Sequence, residues 1–215
     1  MVALAAGTLL VACNSSGSTG PTTLGASGSR IAPITQPKPG DEVASSDPAP
    51  EDPVGRLLLD TVPSGYIQQD DDLAGTGPKD LAAAAVDDGA PDAIAFLGGV
   101  GFERGYQRLW TTQDYRSTIY LHISVLGSND GAVAYCRRLA DNLRRKATTV
   151  DEFAVDGVPG AVGVRGGAAD GAASAVFAAR GSRCVEVLVG GTTDIPAGEQ
   201  IAQVKALFRQ QYALV

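Results

Sequence analysis

The stretch from Ser117 to Leu126 alternates between two kinds of side chain, and this alternation constrains the fold more than any other feature of the chain. One parity is apolar, and the other carries Tyr120, His122 and Ser124. A period of two residues is typical of a β-strand with one buried face. A second alternating stretch, Gly105–Thr112, precedes it across the turn residues 113–116. The two stretches together predict a β-hairpin.

A helix is predicted directly after this hairpin. Ser128 or Asp130 is a suitable N-cap, because both side chains can accept a hydrogen bond from the first turn. Apolar residues then recur at spacings of three and four, at Val133, Cys136, Ala140 and Leu143. Such spacing places them on one buried helix face. The helix is predicted to end at Lys146, where positive charge interacts favourably with the helix dipole.

The second half of the chain repeats the order of strands followed by a helix. Strands are predicted at Ala161–Arg165, Ala173–Arg180 and Arg183–Gly190, and a final helix after Asp194-Ile195-Pro196. Before the hairpin, the pattern predicts a strand opening at Tyr66-Ile67 and short helices at Leu81–Val86 and Asp92–Leu97. Antiparallel strands followed by helices predict an α+β domain, with helices packed on an antiparallel sheet of about five to six strands.

Composition changes sharply near residue 54. Residues 14–53 are rich in Ser, Thr, Gly, Pro and acidic residues, and they contain no aromatic side chain. Such a segment buries too little apolar surface to offset the entropy of ordering it. We therefore expect a disordered tether at 14–53 and a single domain at 54–215, a length that one hydrophobic core can support.

The first 13 residues resemble a bacterial lipoprotein signal peptide. Leu10-Val11-Ala12-Cys13 matches all four positions of the lipobox and closes a short apolar run. The resemblance implies that Cys13 is lipidated, and that lipid holds the domain outside the cell on its membrane. The run is far shorter than the ~20 apolar residues of a spanning helix. It departs from ordinary secretory signals because no basic residue precedes it.

The other two cysteines are expected to pair with each other. An even pair in an exported chain favours a disulfide between Cys136 and Cys184. The bridge would join the predicted helix to one of the last strands. Two buried free thiols are the alternative. A redox pair is disfavoured, because the spacing is far longer than Cys-x-x-Cys.

Charge and motif spacing argue against several classes of ligand. A net charge of −7 disfavours a nucleic-acid partner, which requires a basic surface. Asp70-Asp71-Asp72 lacks the alternating ligands of a calcium loop, and we expect no metal, cofactor or catalytic residue. A basic group on the predicted helix is either a solvated face or a contact for anionic head groups or wall phosphates. It comprises Arg137, Arg138, Arg144, Arg145 and Lys146.

Two sets of hairpin residues are candidate site residues. Tyr106, Trp110 and Tyr120 would form a ligand platform if exposed, since Tyr and Trp are favoured at interfaces. Packing beneath a helix is the alternative. His122 is the single histidine, and a hydrolase would need a Ser, Thr or carboxylate beside it in a cleft. There is no Gly-x-Ser-x-Gly motif, and a structural histidine is the alternative.

Two short sequence segments resemble those of uncharacterised actinobacterial lipoproteins: Gly75-Thr76-Gly77-Pro78-Lys79-Asp80-Leu81 and Gly101-Phe102-Glu103-Arg104-Gly105-Tyr106. The order of elements is similar to that of Mog1/PsbP-like domains. The resemblance implies a binding or accessory role in the cell envelope, with an envelope protein or an apolar ligand as partner. A hydrolase acting through His122 and a purely structural surface module are the alternatives.

Overall fold

The computed structural model describes residues 42–44, 52–71, 75–169, 171–192 and 195–215. The strands in these ranges are β1 (Glu42–Ala44), β2 (Thr61–Pro63), β3 (Tyr66–Gln68), β4 (Gly77–Lys79), β5 (Phe102–Thr112), β6 (Ser117–Leu126), β7 (Thr149–Phe153), β8 (Val162–Ala168), β9 (Gly171–Arg180) and β10 (Arg183–Gly191). The helices are α1 (Leu81–Asp88), α2 (Ala93–Gly99), α3 (Asn129–Lys146) and α4 (Ala197–Leu214), and a short 3-10 helix covers Gly55–Leu57.

The predicted α+β class and the antiparallel sheet are confirmed. Within the described residues the main sheet has eight strands in the order β3-β5-β6-β10-β9-β8-β7, and β4 also pairs with β5. Two of these strands, β4 and β7, were not foreseen. β4 contains Pro78, and four of the five residues of β7 are exposed, so neither strand shows apolar alternation.

Helices cover both faces of the sheet. On one face, Leu121, Ile123 and Val187 pack with Phe208 of α4. On the other, α3 packs over β8, β9 and β10, and α1 and α2 pack near β5. The interpretation of β6 with one buried face is therefore wrong. Its polar parity is buried as well, because α3 covers it.

Side-chain caps fix where two helices begin. The Asp80 carboxylate accepts a hydrogen bond from Ala83 N at 2.8 Å at the start of α1. At α3 the cap is Ser128, whose hydroxyl accepts from Gly131 N at 3.0 Å, and Asp130 lies in the first turn. The last predicted helix begins at Ala197, after Pro196.

The predicted pairing of cysteines is present. Cys136 of α3 and Cys184 of β10 form a disulfide with their Cα atoms 5.6 Å apart. Both residues are buried, so the bridge fastens the helix to the middle of the sheet. None of the helices in the described ranges has the length and apolar character needed to span a bilayer.

Contacts with the domain extend to described residues before Val54. The Asp52 carboxylate accepts hydrogen bonds from Val54 N at 2.7 Å and Gly55 N at 3.1 Å. β1 falls within the segment predicted as a tether and pairs with β2. Cys13, the apolar run before it and most of the predicted tether lie outside the described residues.

Candidate functional site

The three aromatic residues predicted as a ligand platform are all buried, and they lie on opposite faces of the sheet. Tyr106 and Trp110 share a parity and belong to the core beneath α4. Tyr120 belongs to the core beneath α3. Because successive side chains of a strand point to opposite faces, these residues cannot form one exposed surface. Packing beneath helices, the alternative interpretation, describes their positions.

Polar contacts hold two of these aromatic residues. The Tyr106 hydroxyl donates to the carboxylate of Asp71. Burial, followed by this hydrogen bond, raises the pKa of Tyr106 well above its ordinary value. Trp110 packs with the guanidinium of Arg108 at 5.8 Å from its ring centre. Arg108 in turn donates to the backbone oxygen of Leu59 at 2.6 Å.

Tyr120 leads into a group of polar side chains beneath α3, which we call the interior polar cluster. It comprises Gln107, Tyr120, His122, Ser124 and Glu186. Strand register assembles it, because His122 lies opposite both Gln107 of β5 and Glu186 of β10. The Tyr120 hydroxyl donates to Gln107 Oε1 at 3.0 Å. Sequence patterns cannot reveal the interior polar cluster, because its residues come from three different strands.

His122 contacts a hydroxyl on one side and a carboxylate on the other. Its Nε2 lies 3.1 Å from Ser124 Oγ, and its Nδ1 lies 3.4 Å from Glu186 Oε2. This connectivity is the one that Ser-His-carboxylate hydrolases use. The contact expected for a hydrolase is therefore present, and the remaining question is access.

Access to the cluster is closed. Ser124, His122 and Glu186 are only 1%, 3% and 5% exposed. The adjacent cavity measures about 30 Å³, which suits one or two water molecules. A nucleophile must come within bonding distance of a substrate carbonyl, and this space does not admit one. In this conformation the cluster is a buried polar network.

The rim of this cavity carries further ionisable groups from α1 and α3. Asp87 pairs with the buried ammonium of Lys79 at 2.6 Å. Burial lowers the pKa of Lys146. Burial, together with the charge of Glu186, raises the pKa of Tyr135, and a contact with the side chain of Ser124 opposes this shift. Such a lining favours water or a small polar guest over an apolar ligand.

A charged contact fastens α1 and α2 over this cavity. Arg138 donates to Asp88 at 2.7 and 2.9 Å and to Asp92 at 2.6 and 3.1 Å. Burial alone would raise the pKa of Asp88, but hydrogen bonds from Arg138, Asn142 and the Ala90 amide outweigh it and hold that pKa below its usual range. Arg138 is therefore an internal tie, distinct from a solvated face.

Other members of the basic group on α3 also have partners. Arg144 pairs with Asp141 at 2.7 Å and with Glu152 at 2.9 Å. Arg145 donates to the side chain of Asn142. These guanidinium groups are therefore partly committed within the molecule, which weakens their interpretation as a contact for anionic head groups.

A larger concavity lies at the sheet edge, between β3 and the turn that joins β5 to β6. We call it the edge groove. Its volume is about 340 Å³, and it is lined by Ile67, Gln68, Gln69, Asp70, Thr111, Thr112, Gln113 and Tyr115. It lies beside the end of β5 that carries Trp110, and its lining is largely polar.

Three features make the edge groove suitable for a ligand. Tyr115 is 74% exposed and has a left-handed backbone with φ of 56°, which is uncommon for a residue other than glycine. Gln69 Nε2 donates to Thr111 Oγ1 at 2.8 Å, so this amide is held in place. The buried oxygen Oε1 of Gln68 has no hydrogen-bond partner within the described residues. The sequence had indicated only a turn here.

Metal binding finds no support in the described ranges, where no three His, Cys, Asp or Glu side chains converge. No protein-family model matches the chain, and no curated protein matches it. Among solved structures, the chain is similar to the extracellular domain of PknH from Mycobacterium tuberculosis. The TM-score is 0.40 at 15% sequence identity, over 82% of this chain and 84% of that chain.

Proposed function

We propose that the chain is an exported protein, anchored to the cell membrane by lipid on Cys13, whose domain binds a carbohydrate of the cell envelope in the edge groove. The groove, with the exposed ring of Tyr115 and the hydrogen-bonded amide of Gln69, is the observation that carries the binding role. The location outside the cytoplasm is supported separately, by the disulfide and by the lipobox residues.

The buried disulfide supports export. Disulfides such as Cys136–Cys184 form and persist in oxidising compartments and are rare in the reducing cytosol. The lipobox residues Leu10-Val11-Ala12-Cys13 supply a matching route to the outer side of the membrane. Both features favour an extracytoplasmic domain held by lipid.

The lining of the groove supports a carbohydrate over the apolar ligand expected from sequence. Sugars offer many hydroxyl groups, which amides and carboxylates such as those of Gln68, Gln69 and Asp70 can bind. Their apolar ring faces suit contact with an exposed aromatic ring, which Tyr115 provides. The cavity between sheet and helix is too small, at about 30 Å³, to hold an apolar ligand.

Mass spectrometry of the protein from its own membrane tests the anchor. We expect a product that begins at Cys13, carries two or more acyl chains and retains the disulfide. Cys13→Ser should remain unprocessed and incorporate no labelled palmitate, while Cys136→Ser should still be lipidated. A mature protein without lipid would overturn this part of the proposal.

Titration with soluble glycan fragments of the envelope, followed by amide NMR shifts, tests the groove. We expect shifts confined to residues around Gln68 and Tyr115. Tyr115→Ala and Gln113→Ala should weaken binding at least several-fold, whereas Gln210→Ala, an exposed glutamine on α4, should not. Absence of shifts at millimolar glycan, or equal effects of all three variants, would contradict a carbohydrate site.

The contacts of His122 favour one alternative, a hydrolase in which Ser124 is the nucleophile. Burial of all three residues opposes it unless α1 and α2 move away from α3. A fluorophosphonate probe decides between the two. Labelling that is lost in Ser124→Ala and kept in Ser128→Ala would establish the hydrolase, and an unlabelled protein leaves the binding role.

A further inference from the structure

Strand register places three arginines in one row at the end of the sheet opposite the edge groove. Arg104 of β5 and Arg183 of β10 both lie opposite Val125 of β6. Arg180 of β9 lies directly opposite Arg183, across the two-residue turn 181–182. We call this row, Arg104, Arg180 and Arg183, the arginine end.

All three side chains leave the same face of the sheet. Residues two positions further along each strand, Tyr106, Ala178 and Val185, belong to the core beneath α4. Because side chains alternate between faces, the arginines share that face. Neighbouring strands are about 4.8 Å apart, so the row brings three guanidinium groups within roughly 15 Å. Arg104 and Arg180 are exposed, and Arg183 is half-buried.

The row carries positive charge that no carboxylate of the described residues neutralises. In the described part of the chain, none of the three arginines forms an ion pair with a carboxylate. Like charges placed directly opposite each other across two strands are destabilising. Arg180 and Arg183 have this arrangement, which an external anion would relieve.

Apolar groups accompany the arginines. The Arg180 guanidinium lies 5.3 Å from the ring centre of Tyr212 and donates to the backbone oxygen of that residue. An arginine held against a tyrosine ring suits the head-group region of a bilayer, where arginines meet phosphates and amphipathic rings are favoured.

We propose that the arginine end docks onto the phosphate head groups of an anionic lipid bilayer. The choice of a bilayer as the partner rests on the lipid anchor at Cys13 proposed above. The attraction between the arginines and phosphate groups does not depend on that anchor.

The acidity of the rest of the protein makes the docking oriented. The net charge is −7, so other surfaces are repelled by an anionic bilayer while the arginine end is attracted. The edge groove lies at the far ends of β5 and β6. A strand of ten residues spans about 33 Å, so end-on docking would hold the groove about that far above the lipid.

Partitioning into vesicles tests this contact without the lipid anchor. The full chain with Cys13→Ser is mixed with vesicles of phosphatidylcholine, alone or with phosphatidylglycerol. An arginine near an anionic surface contributes about fivefold in partitioning, which is about 1 kcal/mol. Arg104→Gln with Arg183→Gln should therefore reduce binding to the mixed vesicles about 25-fold.

The control is Arg137→Gln, an exposed arginine on α3, which covers the other face of the sheet. It should leave partitioning unchanged. The N-terminal apolar run is common to all variants, and the first charged side chain in the sequence is Arg30. Binding to the two kinds of vesicle should converge at high salt, because salt screens exposed charges.

Three outcomes would overturn the proposal. The first is vesicle binding that falls as phosphatidylglycerol is added. The second is an equal loss of binding in the double variant and in Arg137→Gln. The third is release of the protein from the vesicles by millimolar inorganic phosphate. The last would assign the row to a free phosphate ligand. None of these bears on lipidation, which the mass of the mature protein reports, so the two proposals fail separately.

Discussion

Gly105 determines the space available to the imidazole of His122. A Cβ built at this position would lie 3.0 Å from His122 Nε2 and 3.0 Å from the backbone oxygen of Ile123. Distances this short are tighter than nine in ten real Cβ contacts, so the imidazole or the backbone would have to shift by a few tenths of an ångström. The hydrogen bond between His122 and Ser124 therefore depends on the absence of a side chain at Gly105 on the neighbouring strand.

We expect Gly105→Ala to lower the free energy of unfolding by about 1–3 kcal/mol, because the interior has no room for the methyl group. Urea denaturation measures the loss, and imidazole NMR reports whether His122 leaves Ser124. Gly198→Ala is the control. Its Cβ meets nothing within 4 Å in α4, so stability should stay equal or rise. Equal stability of the two variants would contradict this account.

Asp88 should make the free energy of unfolding depend on pH in the acid range. Its pKa is lower in the folded protein than in the unfolded chain, so the unfolded chain binds the proton more readily. This stabilisation is complete above the unfolded pKa and is lost as pH falls through the folded one. Asp88→Asn should cost about 1–3 kcal/mol at pH 7 and flatten the acid limb of the stability curve below pH about 4.

Chemical denaturation across pH, compared with Asp92→Asn, tests this prediction. Asp92 binds the same guanidinium but is mostly exposed, so water screens its contribution and its removal should have a smaller effect. A steeper acid limb in Asp88→Asn, or identical losses in both variants, would show that Arg138 is held by other contacts.

At the scale of elements, local patterns predicted part of what a single segment can encode. The strand over Ser117–Leu126, a helix start at Ser128 or Asp130 and the pairing of Cys136 with Cys184 follow from one stretch or one count, whereas the burial of both faces of β6 does not. The row from Gln107 through His122 to Glu186 does not, because its members meet only through the register of three strands. The edge groove has the same origin, since β3 and the hairpin turn are distant in sequence.

The segment before β2 is held by a buried amide of α4. Gln211 is fully buried, accepts from Leu59 N at 2.9 Å and donates to Leu57 O at 2.7 Å. Two backbone groups of the segment before β2 thus find their partners on the last helix. No local pattern shows this, because the residues are separated by about 150 positions in the sequence.

Gln211→Leu should therefore leave two backbone groups without partners and cost about 1–3 kcal/mol. Hydrogen exchange at the Leu59 amide should accelerate more than exchange in the centre of the sheet. Gln210→Leu, which changes an exposed neighbour, should alter neither quantity. Unchanged exchange at Leu59 in Gln211→Leu would mean that other contacts hold this segment.

For the molecule as a whole, the arginine end and the edge groove lie at opposite ends of the same strands. A tether alone would let the domain tumble, and a groove on a tumbling domain faces the membrane as often as the envelope. End-on contact removes that freedom, because attraction acts at one end while the acidic remainder is repelled.

The orientation can be measured with single labels on the lipidated chain in vesicles that contain phosphatidylglycerol. Ser182, in the turn between Arg180 and Arg183, marks the docked end, and Gln113, in the turn of the hairpin, marks the far end. Both residues are exposed. We expect lipid-borne quenchers to reach a fluorophore at Ser182→Cys and not one at Gln113→Cys, since roughly 30 Å of strand separates them.

The double variant Arg104→Gln with Arg183→Gln should abolish this difference in quenching, because it releases the domain to tumble, whereas Arg137→Gln should preserve the difference. Stronger quenching at Gln113→Cys would place the groove against the membrane and reverse the assigned orientation.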